Sequence, residues 1–216
     1  MRNLLGRLEY RWGRYAIENF MAYLCCTMAA VYIMQYMVGV PVVRWLSLNR
    51  YGLLKGQIWR AVTFLAVPPM MRPFSALITL YFYYFVGSQL ESVWGSFRLN
   101  CFYLFGMLFQ VAACLISGHA DNTFLNLSLF LAFAQLFPEM EVLFMFVIPV
   151  KVKYLAFFDW ILFAINFLTG SFSVKVGILA AVANFLLFFW DSFFGSFQNW
   201  RRYRDTRKNW RDQNRF

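Results

Sequence analysis

The residues that could do chemistry are few in this sequence, and their types exclude several kinds of site. There is one histidine, His119, so a zinc site built on two histidines of one helix is excluded for this chain alone. The cysteines fall inside apolar runs and lack the paired spacing of metal ligands or of a disulfide framework: Cys25, Cys26, Cys101 and Cys114. We therefore expect them to act as small packing residues, and we expect no metal and no cofactor.

Two aspartates raise the question of an aspartyl protease. Asp159 and Asp191 both lie close to apolar runs, but neither stands in the glycine-aspartate context of membrane aspartyl proteases. Both also fall near the predicted inner ends of those runs, where a carboxylate costs little. The sequence therefore favours ordinary positions near the membrane surface for both.

The stretch LESVWGSFRL places opposite charges around a glycine between two apolar blocks. Gly95 can end a helix at the membrane edge, and Trp94 suits the interface. Glu91 and Arg98 flank the resulting tight turn. We predict that they pair across it, on the cytoplasmic side.

The composition indicates an integral membrane protein. The 216 residues are 61% hydrophobic and 14% charged, whereas soluble domains carry about 25% charged residues. A helix needs about 20 apolar residues to cross the hydrocarbon core, and six runs are candidates: 20–40, 74–90, 99–116, 125–137, 154–168 and 176–190. The fourth run has 13 residues, about 20 Å of helix. We therefore expect an all-α six-helix bundle with a short central fourth helix.

Basic residues predict the topology and the domain limits. Four arginines lie in 1–19, where an amphipathic interfacial helix is predicted, and seven lysines and arginines lie in the tail 191–216. Both ends are therefore expected in the cytoplasm, on either side of a transmembrane domain over 20–190 in the cell membrane. A polybasic segment after a last span favours anionic lipid headgroups over nucleic acid as the partner.

Two segments outside the spans are unusually apolar. The first loop, 41–73, mixes basic residues with tryptophans and leucines, so it is expected to lie in the outer interface or to pack on the bundle. The run 142–150 is too short to span and contains Pro149. It is expected to lie in the interface.

The hairpin residues resemble those of the rhomboid superfamily, whose members carry a glycine, leucine-glutamate, a further glycine and an arginine after the second span. Gly87, Glu91, Gly95 and Arg98 stand at these positions. The pair Trp59-Arg60 is similar to one in rhomboid-like proteins, including the Derlins. Residues 137–153 resemble a stretch of rhomboid-like proteins from Gram-positive bacteria, and the short chain with basic tails looks bacterial. The resemblance covers about 59–190 and implies a rhomboid-like six-helix core.

The resemblance also implies where a catalytic dyad would stand. Active rhomboids carry a glycine-flanked serine at the start of the short fourth span and a histidine in the sixth. Ser128 lies near the serine position, but Asn126 and Leu129 replace the glycines and the sixth span has no histidine. His119 would have to fold back over the helix start to reach Ser128. Lys175, the other candidate base for Ser128, is typical of a lysine that anchors the end of a span at the interface. The sequence therefore predicts a pseudoprotease.

The remaining polar residues of the last three spans are candidate client-facing positions: Asn126, Ser128, Gln135, Asn166 and Asn184. The amides either join helices by hydrogen bonds or line a polar cavity that receives part of another membrane protein. Resemblance to rhomboid pseudoproteases and Derlins implies membrane-protein clients, a place in membrane protein quality control, and local bilayer distortion. The alternatives are an intramembrane serine protease using Ser128 and a small-solute transporter, although no clear inverted repeat or pair of broken helices is visible.

Overall fold

The computed structural model describes residues 10–11, 13–69, 72–144 and 148–189. Of the interfacial helix predicted over 1–19, the description covers little more than a 3₁₀ turn at Gly13–Tyr15. The basic tail 191–216 lies outside the described residues. The predicted domain limits stay predictions.

Within the described residues, one helix falls on each of the six predicted spans, with ends that differ by a few residues. They are α1 (Phe20–Tyr36), α2 (Pro73–Trp94), α3 (Ser96–Ser117), α4 (Thr123–Leu136), α5 (Val152–Thr169) and α6 (Phe172–Phe189, where the description ends). Pro73 starts α2 at a position where a missing N–H costs nothing. Gly95, with a φ of 79°, separates α2 from α3, as predicted for the hairpin.

Four of the described segments are long and apolar enough to cross a membrane: Gly13–Tyr36, which contains α1, and the helices α3, α5 and α6. Helix α2 has 22 residues, but tyrosines, Gln89 and Glu91 lower its hydropathy. Helix α4 has 14 residues, about 21 Å of helix. The chain is thus a multi-pass membrane protein, and the arrangement of six crossings stays a prediction.

Helix α4 lies at the centre of the bundle. It packs against α2, α3 and α5, and nine of its 14 residues are buried. A helix too short to cross lipid on its own is stable in this position because neighbouring helices cover it. The prediction of a short central helix agrees with this burial.

Glycines let neighbouring helices approach closely. A Cβ atom on Gly87 of α2 would overlap the side chain of Met21 on α1, and one on Gly106 of α3 would overlap Leu125 on α4. Packing at small residues is a main source of helix association in lipid, where burial from water contributes little. Gly87 therefore has a packing role beside its place in the hairpin motif.

The first loop is structured and packs on the bundle, one of the two predicted outcomes. It contains short helices at Val42–Leu46, Arg50–Leu54 and Arg60–Thr63 and a 3₁₀ turn at Phe64–Ala66. Strand β1 (Leu48–Asn49) pairs antiparallel with β2 (His119–Ala120), and Leu48 and Phe64 are buried in the core. Asn122 Nδ2 donates to the backbone oxygens of Leu65 and Val67, both at 2.9 Å, and so ties the loop to the start of α4.

A β-hairpin between α4 and α5 departs from the all-α prediction. Strands β3 (Glu141–Phe144) and β4 (Ile148–Lys151) are antiparallel, with Glu141 opposite Lys151 and Val142 opposite Val150. Branched and aromatic residues favour strands, and ladder hydrogen bonds pair the backbone groups of a segment too short for a spanning helix. The all-α class describes the spans correctly but misses the two small sheets.

Candidate functional site

A groove of about 760 Å³ lies between α2, α4 and α5, with Val142 of β3 also in its wall. Helices α2 and α5 both pack on α4, so α4 forms the back of the groove. The wall is largely apolar, from residues such as Ile78, Phe82, Phe130, Leu155 and Leu162. Its polar groups come from Ser75, Thr79, Tyr83, Asn126 and Asp159.

The groove has an exposed mouth and a buried floor. At the mouth, Phe74 of α2 is 74% exposed and Phe158 of α5 is 57% exposed. At the floor, Asn126 of α4 is 4% exposed and Asp159 of α5 is 3% exposed. Because α2 and α5 present the exposed phenylalanines, the groove opens sideways between them, toward the side of the bundle.

Asp159 corrects a sequence-based expectation. It was expected near the surface end of its span, but it lies seven residues after Val152, the first residue of α5, which is about 10 Å along the helix. Packing of α5 on α4 turns its carboxyl group inward, and within the described part of the chain neither oxygen has a hydrogen-bond partner. Asp159 is the one acidic residue of the fifth predicted span, which is the signal that could have identified it.

Asn126 is the one candidate client-facing residue of the five that lines the groove. Its Oδ1 accepts a hydrogen bond from the hydroxyl of Tyr103 on α3, at 3.4 Å, and Tyr83 of α2 also hydrogen-bonds to its side chain. Asn126 therefore joins three helices and contributes to the groove. Both roles that the sequence left open for these amides, a hydrogen bond between helices and a place in the wall of a cavity, therefore apply to Asn126.

Ser128 is completely buried in α4 and does not face the groove. Its Oγ donates to the backbone oxygen of Leu125, at 2.7 Å, so the hydroxyl proton is already held by its own helix. His119 lies on β2, opposite Asn49, with an exposed side chain. A serine nucleophile needs a base within hydrogen-bond reach, and the hydrogen bond of Ser128 goes to a backbone carbonyl.

Asn184 joins helices inside the bundle rather than lining the groove. It is fully buried, and its Nδ2 donates to the backbone oxygen of Phe102 on α3, at 3.3 Å. Gln110 of α3 makes a similar bond to the backbone oxygen of Gly177 on α6, at 3.2 Å. Both amides act as interhelical links. Gln110 was not predicted because it lies in the third span, outside the three spans whose polar residues indicated a site.

Gln135 and Asn166 are exposed and lie outside the groove. The Nδ2 of Asn166 donates to the backbone oxygen of Leu162 in its own helix, at 2.8 Å. The amphipathic pattern of α4 and α5 is too weak in sequence to tell which face turns inward. The structure therefore does not bring these two residues together with Asn126.

Arg60 holds the first loop together. Its Nε donates to Gln57 Oε1 at 2.6 Å, and its Nη1 donates to the backbone oxygens of Arg44 at 2.9 Å and Ser47 at 2.8 Å. The adjacent Trp59 is exposed, as expected for an interfacial tryptophan. The tryptophan-arginine pair therefore combines an outward ring with an inward guanidinium.

In the hairpin, the carboxylate of Glu91 binds neighbouring elements. Its Oε1 accepts hydrogen bonds from the backbone N–H of Asn19 at 2.8 Å and from Ser96 Oγ at 2.7 Å. The ion pair of Glu91 with Arg98 stays a prediction. Glu91 thus links the start of α1 to the turn between α2 and α3.

An exposed ion-pair cluster lies where α4, the β-hairpin and α5 meet. Glu139 binds Lys151 at 2.9 Å and Lys153 at 2.7 Å. The hydrogen bonds from Lys153 and Lys151 lower the pKa of Glu139 to about 2, and Glu139 in turn raises the pKa of Lys151. Both lysines beside the start of α5 are therefore already paired.

A comparison with known families identifies the chain. The sequence model of the Der1-like family matches residues 17–206, which is longer than the stretch 59–190 over which the resemblance was noted. No curated protein is significantly similar to the chain. The match confirms the resemblance to Derlin-like relatives of the rhomboids, while the bacterial source stays a prediction. The chain therefore belongs to the Der1-like family, as a multi-pass integral membrane protein.

Proposed function

We propose that this protein binds transmembrane helices of other membrane proteins in the groove between α2 and α5, without cleaving them. The observation that carries the proposal is an apolar groove that opens sideways and has polar residues, Asn126 and Asp159, at its floor. Membership of the Der1-like family, whose members are generally inactive pseudoproteases, supports it.

The size of the groove limits what it can hold. Its volume of about 760 Å³ is in the range of pockets that bury a small-molecule ligand, whereas a helix with its side chains is about 10–12 Å across. The groove therefore accepts a few side chains from one face of a client helix. Most of that helix would stay in contact with lipid.

Apolar contact alone does not make such a site selective, because lipid tails are as apolar as the groove wall. Affinity in lipid comes from close packing and from polar groups that find partners. The side chains of α4 at the back of the groove provide the close packing, and Asn126 and Asp159 at its floor provide the polar partners. The site is thus suited to helices that combine small or apolar residues with a polar group.

The environment of Ser128 supports the proposed lack of cleavage. Its hydroxyl is buried and donates to the backbone oxygen of Leu125. The sixth span, which carries the base in active rhomboids, contains no histidine. The groove would therefore retain a client without acylating the protein.

The surroundings of the groove fit a role in membrane protein quality control. We place all six helices across the membrane, with both termini in the cytoplasm and the basic tails on anionic headgroups. The first loop packs on the bundle without crossing the bilayer and keeps Trp45 and Trp59 exposed, so lipid beside it would thin. Thinner lipid lowers the cost of moving a client sideways into the groove.

Binding can be measured in vesicles that contain the purified protein and a transmembrane peptide of leucine and alanine. Energy transfer between a donor on the protein and an acceptor on the peptide should saturate with peptide concentration. Leu162→Trp, which fills the groove, should lower the transfer, while Leu108→Trp on α3, where Leu108 is 53% exposed, should not. Equal, unsaturable transfer in all three proteins would refute the proposal.

A further inference from the structure

Asp159 is the buried group that the fold itself leaves unexplained. Buried polar side chains normally find hydrogen-bond partners, and Asn126, Gln110 and Asn184 each make at least one such bond. Within the described ranges, neither oxygen of Asp159 has one, although the residue is as buried as these amides. A buried carboxyl group without a partner costs free energy, so a hydrogen-bond donor brought to this group would stabilise it.

The nearest lysines in sequence do not supply that donor. Lys151 and Lys153 are exposed at the start of α5 and bind Glu139 at 2.9 and 2.7 Å. The side chains that share the groove wall with Asp159 on α5 are Leu155, Phe158 and Leu162, which are apolar. The hydroxyl groups of Ser75, Thr79 and Tyr83 also line the groove, but neither oxygen of Asp159 is hydrogen-bonded to them. A donor would therefore come from the occupant of the groove.

Charge complementarity indicates what that occupant carries. Lysine and arginine have donors on long apolar stems, so they can reach a group at the back of a groove while their helix stays at its mouth. Intramembrane charges are paired with opposite charges where possible, because an isolated one is costly in lipid. A client helix with one basic residue would therefore gain more from this groove than a purely apolar helix.

We infer that the groove selects transmembrane helices that carry a lysine or arginine at the level of Asp159, which lies near the middle of α5. This inference rests on the proposed function and adds the chemistry of the preferred client. The basic side chain passes between α2 and α5 and donates to the carboxylate of Asp159. Small or apolar residues around it pack against the wall.

The test uses three transmembrane peptides of leucine and alanine that differ at one central position, which is leucine, lysine or glutamate. Each is incorporated with the protein in vesicles of phosphatidylcholine, and binding is measured by energy transfer. A hydrogen bond to a charged group corresponds to about tenfold or more in affinity, so the lysine peptide should bind at least about tenfold more tightly than the leucine peptide. The glutamate peptide should bind more weakly than either.

Variants separate the role of Asp159 from a general effect on folding. Asp159→Asn should remove the roughly tenfold advantage of the lysine peptide over the leucine peptide, and saturable binding of both peptides to this variant would show that its groove is still formed. Asn166→Ala, on an exposed face of the same helix, is the matched control and should keep the preference.

Each outcome decides between the two proposals. If the leucine and lysine peptides bind the unmodified protein equally, the preference for basic clients is wrong and the groove proposal stands. If no peptide binds, both are wrong. A preference that persists in Asp159→Asn, or displacement of the lysine peptide by an equimolar cationic lipid, would show that Asp159 does not select protein clients.

Discussion

Glu91, near the end of α2, accepts a hydrogen bond at 2.8 Å from the backbone N–H of Asn19, which lies 72 residues earlier in the chain. Asn19 directly precedes α1, has a φ of 52°, and makes no side-chain capping bond of its own. The same Glu91 oxygen accepts from Ser96 Oγ at the start of α3. The glutamate of the hairpin motif is therefore a clamp on three helix ends.

Removal of this clamp should destabilise the bundle. We expect Glu91→Ala to lower the free energy of unfolding by about 1–3 kcal/mol, because two donors lose their acceptor. Glu91→Gln keeps an acceptor oxygen and should lose less. Thermal unfolding in detergent measures the difference, with Ser92→Ala on the exposed side of α2 as control; equal stability of Glu91→Ala and the unmodified protein would contradict the clamp.

The contact of Gly87 with Met21 predicts a coupled pair of substitutions. Gly87→Ala places a methyl group where the Met21 side chain lies, and overpacking of this kind costs about 1–3 kcal/mol. Met21→Ala in the same chain should recover part of that loss by making room. A double-mutant cycle of unfolding free energies measures the coupling, and strictly additive losses would show that the two helices do not meet at this point.

Ser128 should not react as a nucleophile. Since its hydroxyl is buried and donates to Leu125, we expect no labelling of the purified protein by a fluorophosphonate probe. The free energy of unfolding of Ser128→Ala should differ from that of the unmodified protein by no more than about 1 kcal/mol, because the backbone oxygen of Leu125 loses one donor and no new polar group is buried. Labelling that disappears in Ser128→Ala would establish a serine hydrolase instead.

The Glu139 cluster predicts an acid-sensitive contribution to stability. The pKa of Glu139 is lowered from 4.5 to about 2 in the folded protein by hydrogen bonds from Lys153 and Lys151. A lowered pKa means that the contribution is fully present above about pH 4.5 and is lost as the pH falls toward 2. Glu139→Gln should reduce the slope of unfolding temperature against pH in this window, by a small amount because the pair is exposed; an unchanged slope would contradict the pairing.

Much of the fold could be predicted from sequence because the spans are set by apolar length. The predicted run 20–40 starts with α1 at Phe20, and 125–137 corresponds to the short, buried α4. The β-hairpin was missed because its strands lie in a continuous apolar run without the alternation that marks a half-buried strand. The pairing of β1 with β2 joins segments about 70 residues apart, for which the sequence carries no local signal.

The candidate site was predictable only in part, because a groove between three helices depends on which face each helix turns inward. Asn126 was identified, whereas Gln135 and Asn166 point elsewhere. In a helix that is apolar all round, periodicity does not reveal the packed face. Asp159 was expected near the membrane surface because it lies close to the predicted end of its span. Only the packing of α5 on α4 shows that it is buried.

The central claim is that a transmembrane helix occupies the groove between α2 and α5. It is tested most directly by placing a photo-reactive amino acid at Leu162, in the groove wall, or at Leu108, on the exposed face of α3. Each protein is irradiated in vesicles with the lysine-containing transmembrane peptide, and the products are identified by mass spectrometry. The account predicts cross-links to the peptide from Leu162 and mainly to lipid from Leu108. Cross-links to lipid alone from both positions, or equal peptide cross-linking from both, would contradict it.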